Sequence, residues 1–150
     1  MNLKQLNILH ADDDFDDCIF FKEALKELNL PTHHMVVHDG EQLMQYLTKE
    51  SNDLPHVLFL DLNMPRKNGY ECLTEIKFNK RLKQVTIIIF STSYEQEIVN
   101  RLYKNGAHYY IRKPSDFSQF KNVIQQAFLS LIAQVNISQP PIENFVLSAS

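Results

Sequence analysis

Asp12, Asp13, Asp61, Ser91 and Lys113 each follow a short apolar run, and as a set they could carry phosphoryl chemistry. Three carboxylates held close together repel and raise one another's pKa unless a cation lies among them. All-oxygen ligation selects a hard divalent ion such as Mg²⁺, which keeps several waters and takes phosphate oxygens readily. With that ion present a carboxylate can attack a phosphoryl group, while a lysine neutralises charge on the transferring oxygens. Asp61 is the central acid and the best nucleophile candidate. This chemistry requires the five side chains to share one crevice.

The elements that could bring them together are legible in the hydrophobic pattern. Val57-Leu58-Phe59-Leu60 is a buried strand that stops at Asp61, and Asn63 and a Met64-Pro65 turn follow. Leu6 to Ala11 is a strand running into Asp12, Asp13 and Asp14, after which Cys18, Phe21, Leu25 and Leu28 recur at helical spacing. Met35-Val36-Val37 is the second strand, closed by an Asp39-Gly40 turn, and Leu43, Met44 and Leu47 mark a short helix. A third helix spans about Tyr70 to Phe78. Thr86 to Phe90 is a β-branched central strand that ends in Ser91-Thr92-Ser93, and a helix then runs to Asn105, where Gly106 stops it. Ala107 to Ile111 is the fifth strand, Arg112-Lys113-Pro114 a loop, and Phe117 to Ala133 the last helix, capped by Ser115 or Asp116.

Strands that alternate with helices predict an α/β domain with a five-stranded parallel sheet and helices on both faces. In such a sheet all the strand ends lie along one edge, where ligands bind. Asp12 and Asp13, Asp61, Ser91 and Lys113 therefore converge.

Composition narrows the alternatives. The 150 residues fit one domain, with 44% hydrophobic and 22% charged content. A net charge of -3 gives no overall attraction to nucleic acid or to an anionic membrane. With no signal peptide and no apolar run of about 18 residues, the expectation is a cytoplasmic protein whose Cys18 and Cys72 are reduced thiols used for packing. The six histidines show no metal-ligand spacing and read as surface or packed residues. Lys77, Lys80, Arg81 and Lys83 form either a solvated loop or a docking patch.

The four motifs at the strand ends resemble those of the receiver domains of two-component response regulators: an acidic pair, a phospho-accepting Asp, a Ser or Thr, and Lys-Pro. The resemblance spans about Leu6 to Ala133, with a receiver domain over 1–135 and a C-terminal tail over 136–150. It implies the flavodoxin-like strand order 2-1-3-4-5. It also implies that Asp61 takes a phosphoryl group from a sensor histidine kinase or a histidine phosphotransfer protein. Asp13, Asp61 and the Asn63 carbonyl would bind Mg²⁺ directly, with Asp12 helping through water, and Ser91 and Lys113 would hold the phosphoryl group. Tyr110 falls at the position of an aromatic switch residue, and the Lys113-Pro114 bond is expected to be cis.

Reversing a two-state equilibrium from 1:99 to 99:1 needs about 5.5 kcal/mol of differential binding, against about 1.5 to 3 kcal/mol for one hydrogen bond to a charged group. Ser91, Lys113 and the metal would have to act together, drawing Tyr110 inward and changing the face formed by the fourth helix, fifth strand and fifth helix. That face is the expected output surface for a partner protein, and a homodimer is a separate expectation. Asn63 and Thr92 flank the expected water approach and so bear on phosphoryl lifetime. Tyr109 is either edge-strand packing or an added partner contact, and the tail, with Pro140-Pro141 and Phe145-Val146-Leu147, either packs back, dimerises or stays disordered. No output domain is expected after Ala133, so the first expectation is a stand-alone receiver. Two alternatives compete with it: a small Mg²⁺-dependent phosphatase using Asp61 as nucleophile, against which Asn63 stands where a second Asp is usual, and a pseudo-receiver that acts without phosphorylation.

Overall fold

The computed structural model describes residues 5–28, 31–132 and 139–147. The chain runs β1 (Leu6–Ala11), α1 (Phe15–Lys26), β2 (Thr32–Val37), α2 (Gly40–Thr48), β3 (Val57–Leu60), α3 (Gly69–Phe78), β4 (Thr86–Ser91), α4 (Gln96–Lys104), β5 (Tyr109–Arg112), α5 (Phe117–Ile132) and β6 (Val146–Leu147), with single 3-10 turns at Leu82–Gln84 and Ile142–Asn144. The sheet is wholly parallel in the order β2-β1-β3-β4-β5-β6.

Strand side chains alternate between two apolar layers. Leu58, Leu60, Ile87 and Ile89 pack with α2, α3 and α4 on one face, and Val57, Phe59, Ile88 and Phe90 pack with α1 and α5 on the other. Both faces of the central strands are covered, which is why β3 and β4 read as unbroken apolar runs rather than alternating ones.

Side chains and one glycine set the helix ends. Asp14 Oδ1 accepts the Asp17 N–H at 3.1 Å, Asp39 Oδ1 that of Gln42 at 2.8 Å, and Asp116 Oδ1 that of Gln119 at 3.1 Å. Asn68 and Glu71 form a reciprocal capping box at α3. Gly106, with φ of 95°, ends α4 in the left-handed region.

The sixth strand departs from the expected five. Two consecutive residues after a Pro-Pro pair carry no strand periodicity, but Val146 and Leu147 lie in register with Tyr110 and Ile111 of β5. Phe145, just before them, is fully buried beside Tyr103 and Tyr110. The tail residues 139–147 therefore pack back on the domain. Tyr109, no longer on an edge strand, is buried in the layer against α5. Strand β2 begins at Thr32, earlier than its apolar residues suggested. Residues 133–136, where the expected domain boundary falls, lie outside the described residues. The Lys113–Pro114 bond is trans, since the described residues contain no cis peptide bond. Trans is the intrinsically favoured isomer by about 0.5 to 1 kcal/mol.

Candidate functional site

The parallel ladder extends one residue past the strands and places the acids. Asp12 N–H donates to the Val37 carbonyl at 3.0 Å, Asp61 N–H to Ala11 at 3.0 Å, and Lys113 N–H to Ser91 at 2.7 Å. Asp12, Asp61 and Lys113 thus leave the β1, β3 and β5 ends side by side. Asp12, Asp13 and Asp61 each offer a carboxylate oxygen, and these atoms lie within 4.8 Å of one another. Asp12 and Asp61 are buried, whereas Asp13 is exposed at the mouth.

Lys113 is the cation of the cluster. Its Nζ lies 2.7 Å from Asp12 Oδ2, 2.9 Å from Asp17 Oδ2 and 3.3 Å from Asp61 Oδ2, and it sits over the Phe90 ring. Burial would push the ammonium down, but the charges of Asp61 and Asp12 hold its pKa above the ordinary value. Burial pushes Asp61 up to about 7, with Lys113 opposing and Asp12 adding. Burial also acts to raise Asp12, yet His10 and Lys113 beside it hold that carboxyl well below the usual range. His10 itself is fully buried, and desolvation lowers its pKa from the ordinary value while Asp12 beside it acts to raise it. The His10 ring stacks on Phe21 at 4.2 Å, and its Nε2 lies 3.3 Å from Asp12 Oδ2 without the alignment of a hydrogen bond.

The loop after β3 holds Asp61 from the other side. Asn63 N–H donates to Asp61 Oδ1 at 3.2 Å, and Gly69 N–H donates to the Leu62 carbonyl at 2.9 Å. A Cβ on Gly69 would sit 2.2 Å from the Asp61 carbonyl oxygen, so only glycine lets the start of α3 approach the acid so closely.

Ser91 closes β4 and Tyr110 lies inside β5, each with particular partners. The buried Ser91 Oγ lies 3.2 Å from Ser93 Oγ, within its own loop. Tyr110 is buried, and its hydroxyl donates to the Ser93 carbonyl. The aromatic ring is thus already turned inward and tied to the loop after β4. Thr92 is exposed at the mouth and helps to line a cleft of about 300 Å³ with Asp14, Asp17, Phe20 and Lys113.

Three roles were not read from the residue types. Asp17 pairs with Lys113, and the available signal was its helical phase, one turn before the buried Phe21. His10 lies under Asp12, in a strand position that the alternation assigns to the interior. Arg81, read as part of a basic run, donates to the Leu47 carbonyl at 2.9 Å and the Asn52 carbonyl at 3.0 Å, which makes it an internal strut. The cysteines are packing residues whose thiols burial pushes up to about 12. No described helix is long and apolar enough to cross a membrane.

The fold and this edge define a class, and residues 8–125 match the response regulator receiver domain: the chain belongs to that family of phosphoryl-accepting signalling modules. Response regulator Rcp1 of Synechocystis sp. is 29% identical over 122 residues, covering 79% of this chain and 83% of Rcp1. The Mn²⁺-bound crystal form of Rcp1 superposes with a TM-score of 0.79 at 26% identity, over 91% of this chain and 99% of that one. The phosphorylated cyanobacterial phytochrome response regulator RcpA gives 0.76 at 30% identity, over 85% and 96%. The carboxylates of Asp12, Asp13 and Asp61 are close enough together that they could hold a metal ion.

Proposed function

We propose that Asp61 is the phospho-acceptor, taking its phosphoryl group from a phosphohistidine on a sensor kinase or a histidine phosphotransfer protein. The carrying observation is the convergence of Asp12, Asp13 and Asp61 within 4.8 Å, with Lys113 Nζ 3.3 Å from Asp61. The donor set is all oxygen and suits Mg²⁺, held by Asp13, Asp61 and the Asn63 carbonyl with Asp12 behind them. When bound, that ion neutralises charge on the transferring phosphoryl oxygens.

The chain's own groups do the rest. An Asp61 carboxylate oxygen attacks phosphorus as the bond from phosphorus to the imidazole nitrogen breaks, and the imidazole leaves with the electron pair. Lys113 stays protonated and pairs with the phosphoryl group, and the Ser91 hydroxyl turns from Ser93 toward it. Because Tyr110 is tied to the Ser93 carbonyl, that turn reaches Tyr110 and the surface of α4, β5 and α5. We assign this surface, now bordered by β6, as the site of output-partner binding or self-association.

Asn63 offers no acid or base for turnover, and its N–H is engaged by Asp61, which disfavours a phosphatase. The complete set of site residues likewise disfavours a receiver that acts without phosphorylation. Acetyl phosphate with Mg²⁺ is expected to add one phosphoryl mass to the wild type and none to Asp61→Asn. Intact-mass measurement decides it, and an unlabelled wild type with a competent donor overturns the assignment.

A further inference from the structure

The geometry points to Asp17 as a positioning residue for phosphoryl transfer, acting through Lys113; the inference rests on Asp61 being the phospho-acceptor. An ammonium has three N–H donors. The three carboxylates of Asp12, Asp17 and Asp61 take one each, at 2.7, 2.9 and 3.3 Å. Asp12 comes from the end of β1 and Asp17 from the first turn of α1, so two donors are fixed by two different elements. The third can only point at Asp61. Without Asp17 the flexible lysine stem keeps Asp12 as its one anchor besides the reacting Asp61, and the ammonium can swing about Asp12.

Asp17 is built for this place. Asp14 caps α1 by accepting the Asp17 N–H, which fixes the helix phase, and the buried Phe21 one turn on holds that face against the sheet. The Asp17 side chain is 19% exposed and that of Lys113 4% exposed, so the pair is shielded from water. The longer reach to Asp61 leaves the third N–H the least committed. In the transfer, an Asp61 oxygen bonds to phosphorus and the bond from phosphorus to the leaving group breaks. The third Lys113 N–H then passes from Asp61 Oδ2 to a phosphoryl oxygen, while Asp12 and Asp17 keep the other two.

Removing the Asp17 charge has two opposed effects, which separate kinetically. Less negative charge at the mouth favours binding of an anionic donor, whereas a misplaced Lys113 slows the transfer. With acetyl phosphate and Mg²⁺, Asp17→Asn is expected to lower the maximal labelling rate about tenfold without raising the half-saturating donor concentration. Asp17→Glu restores part of the rate. A wild-type maximal rate in Asp17→Asn, with only the half-saturating concentration changed, overturns the proposal. A second readout needs neither metal nor donor. Melting shifts of Asp17→Asn, Lys113→Met and the double variant are expected to fall short of additivity, and strict additivity overturns the link. A wild type that takes no phosphoryl group defeats the Asp61 assignment instead, and this role with it.

Discussion

The Phe145 carbonyl accepts the backbone N–H of Tyr110 at 3.0 Å, and the two rings stand 6.4 Å apart. Tyr110, the proposed switch residue, and the tail are therefore in direct contact. Phe145→Ala empties a fully buried aromatic site and is expected to reduce unfolding free energy by about 3 kcal/mol in urea, with faster amide exchange at Tyr110. A loss under about 1 kcal/mol would show that the tail is not anchored as described.

Lys113→Met and Asp61→Asn should move stability in opposite directions in metal-free buffer at neutral pH. The first leaves Asp12 and Asp61 without their buried cation, at an expected cost of about 3 kcal/mol that Mg²⁺ partly restores. The second removes a carboxylate whose charged form burial disfavours and is expected to stabilise by about 1 kcal/mol. Thermal unfolding with and without Mg²⁺ checks both, and two shifts of the same sign would contradict the electrostatics.

His108 gives a pH dependence with a definite sign. Its Nδ1 accepts the Ile87 N–H at 3.1 Å, and burial, with Lys77 nearby, lowers its pKa to about 4. The unfolded chain, near the ordinary histidine value of 6.5, binds more protons between those limits, so stability is full above about 6.5 and falls as pH drops toward 4. The loss attributable to this ring is at most about 3 kcal/mol. His108→Asn keeps an acceptor and cannot titrate, so its denaturation midpoint should vary less with pH over that window. An unchanged slope would assign the effect to His34 or His10, which burial also lowers.

Gly69→Ala tests the approach of α3 to the site. The added carbon would lie 2.2 Å from the Asp61 carbonyl oxygen, and backbone must shift to admit it. About 2 kcal/mol of stability and most phosphoryl uptake are expected to be lost, although no side chain of the site is altered. Wild-type labelling of Gly69→Ala would mean that Asp61 tolerates the displacement.

Much of this was legible because parallel strands impose a common edge. Once Leu6 to Ala11, Val57 to Leu60, Thr86 to Phe90 and the run before Arg112 are strands, Asp12, Asp61, Ser91 and Lys113 must be neighbours. What escaped depends on phase and partner rather than pattern. The direction of Asp17 needs the exact start of α1, which Asp14 decides. The Ser91 hydroxyl turns to Ser93 because its loop offers the nearer partner. Arg81 looks solvated until the carbonyls of Leu47 and Asn52, distant in sequence, are seen to meet it. The pairing of Val146 and Leu147 is too short to show a period and is decided by the burial of Phe145 beside them.

Strand β6 also changes how the molecule meets its own kind. Without it, β5 would be the border of the sheet, with a row of unpaired backbone groups that could template another chain. Among the described residues Val146 and Leu147 occupy that border as a two-residue run. Any copy that pairs with β5 must first displace them, so edge-to-edge association competes with an intramolecular contact rather than adding to an open ladder.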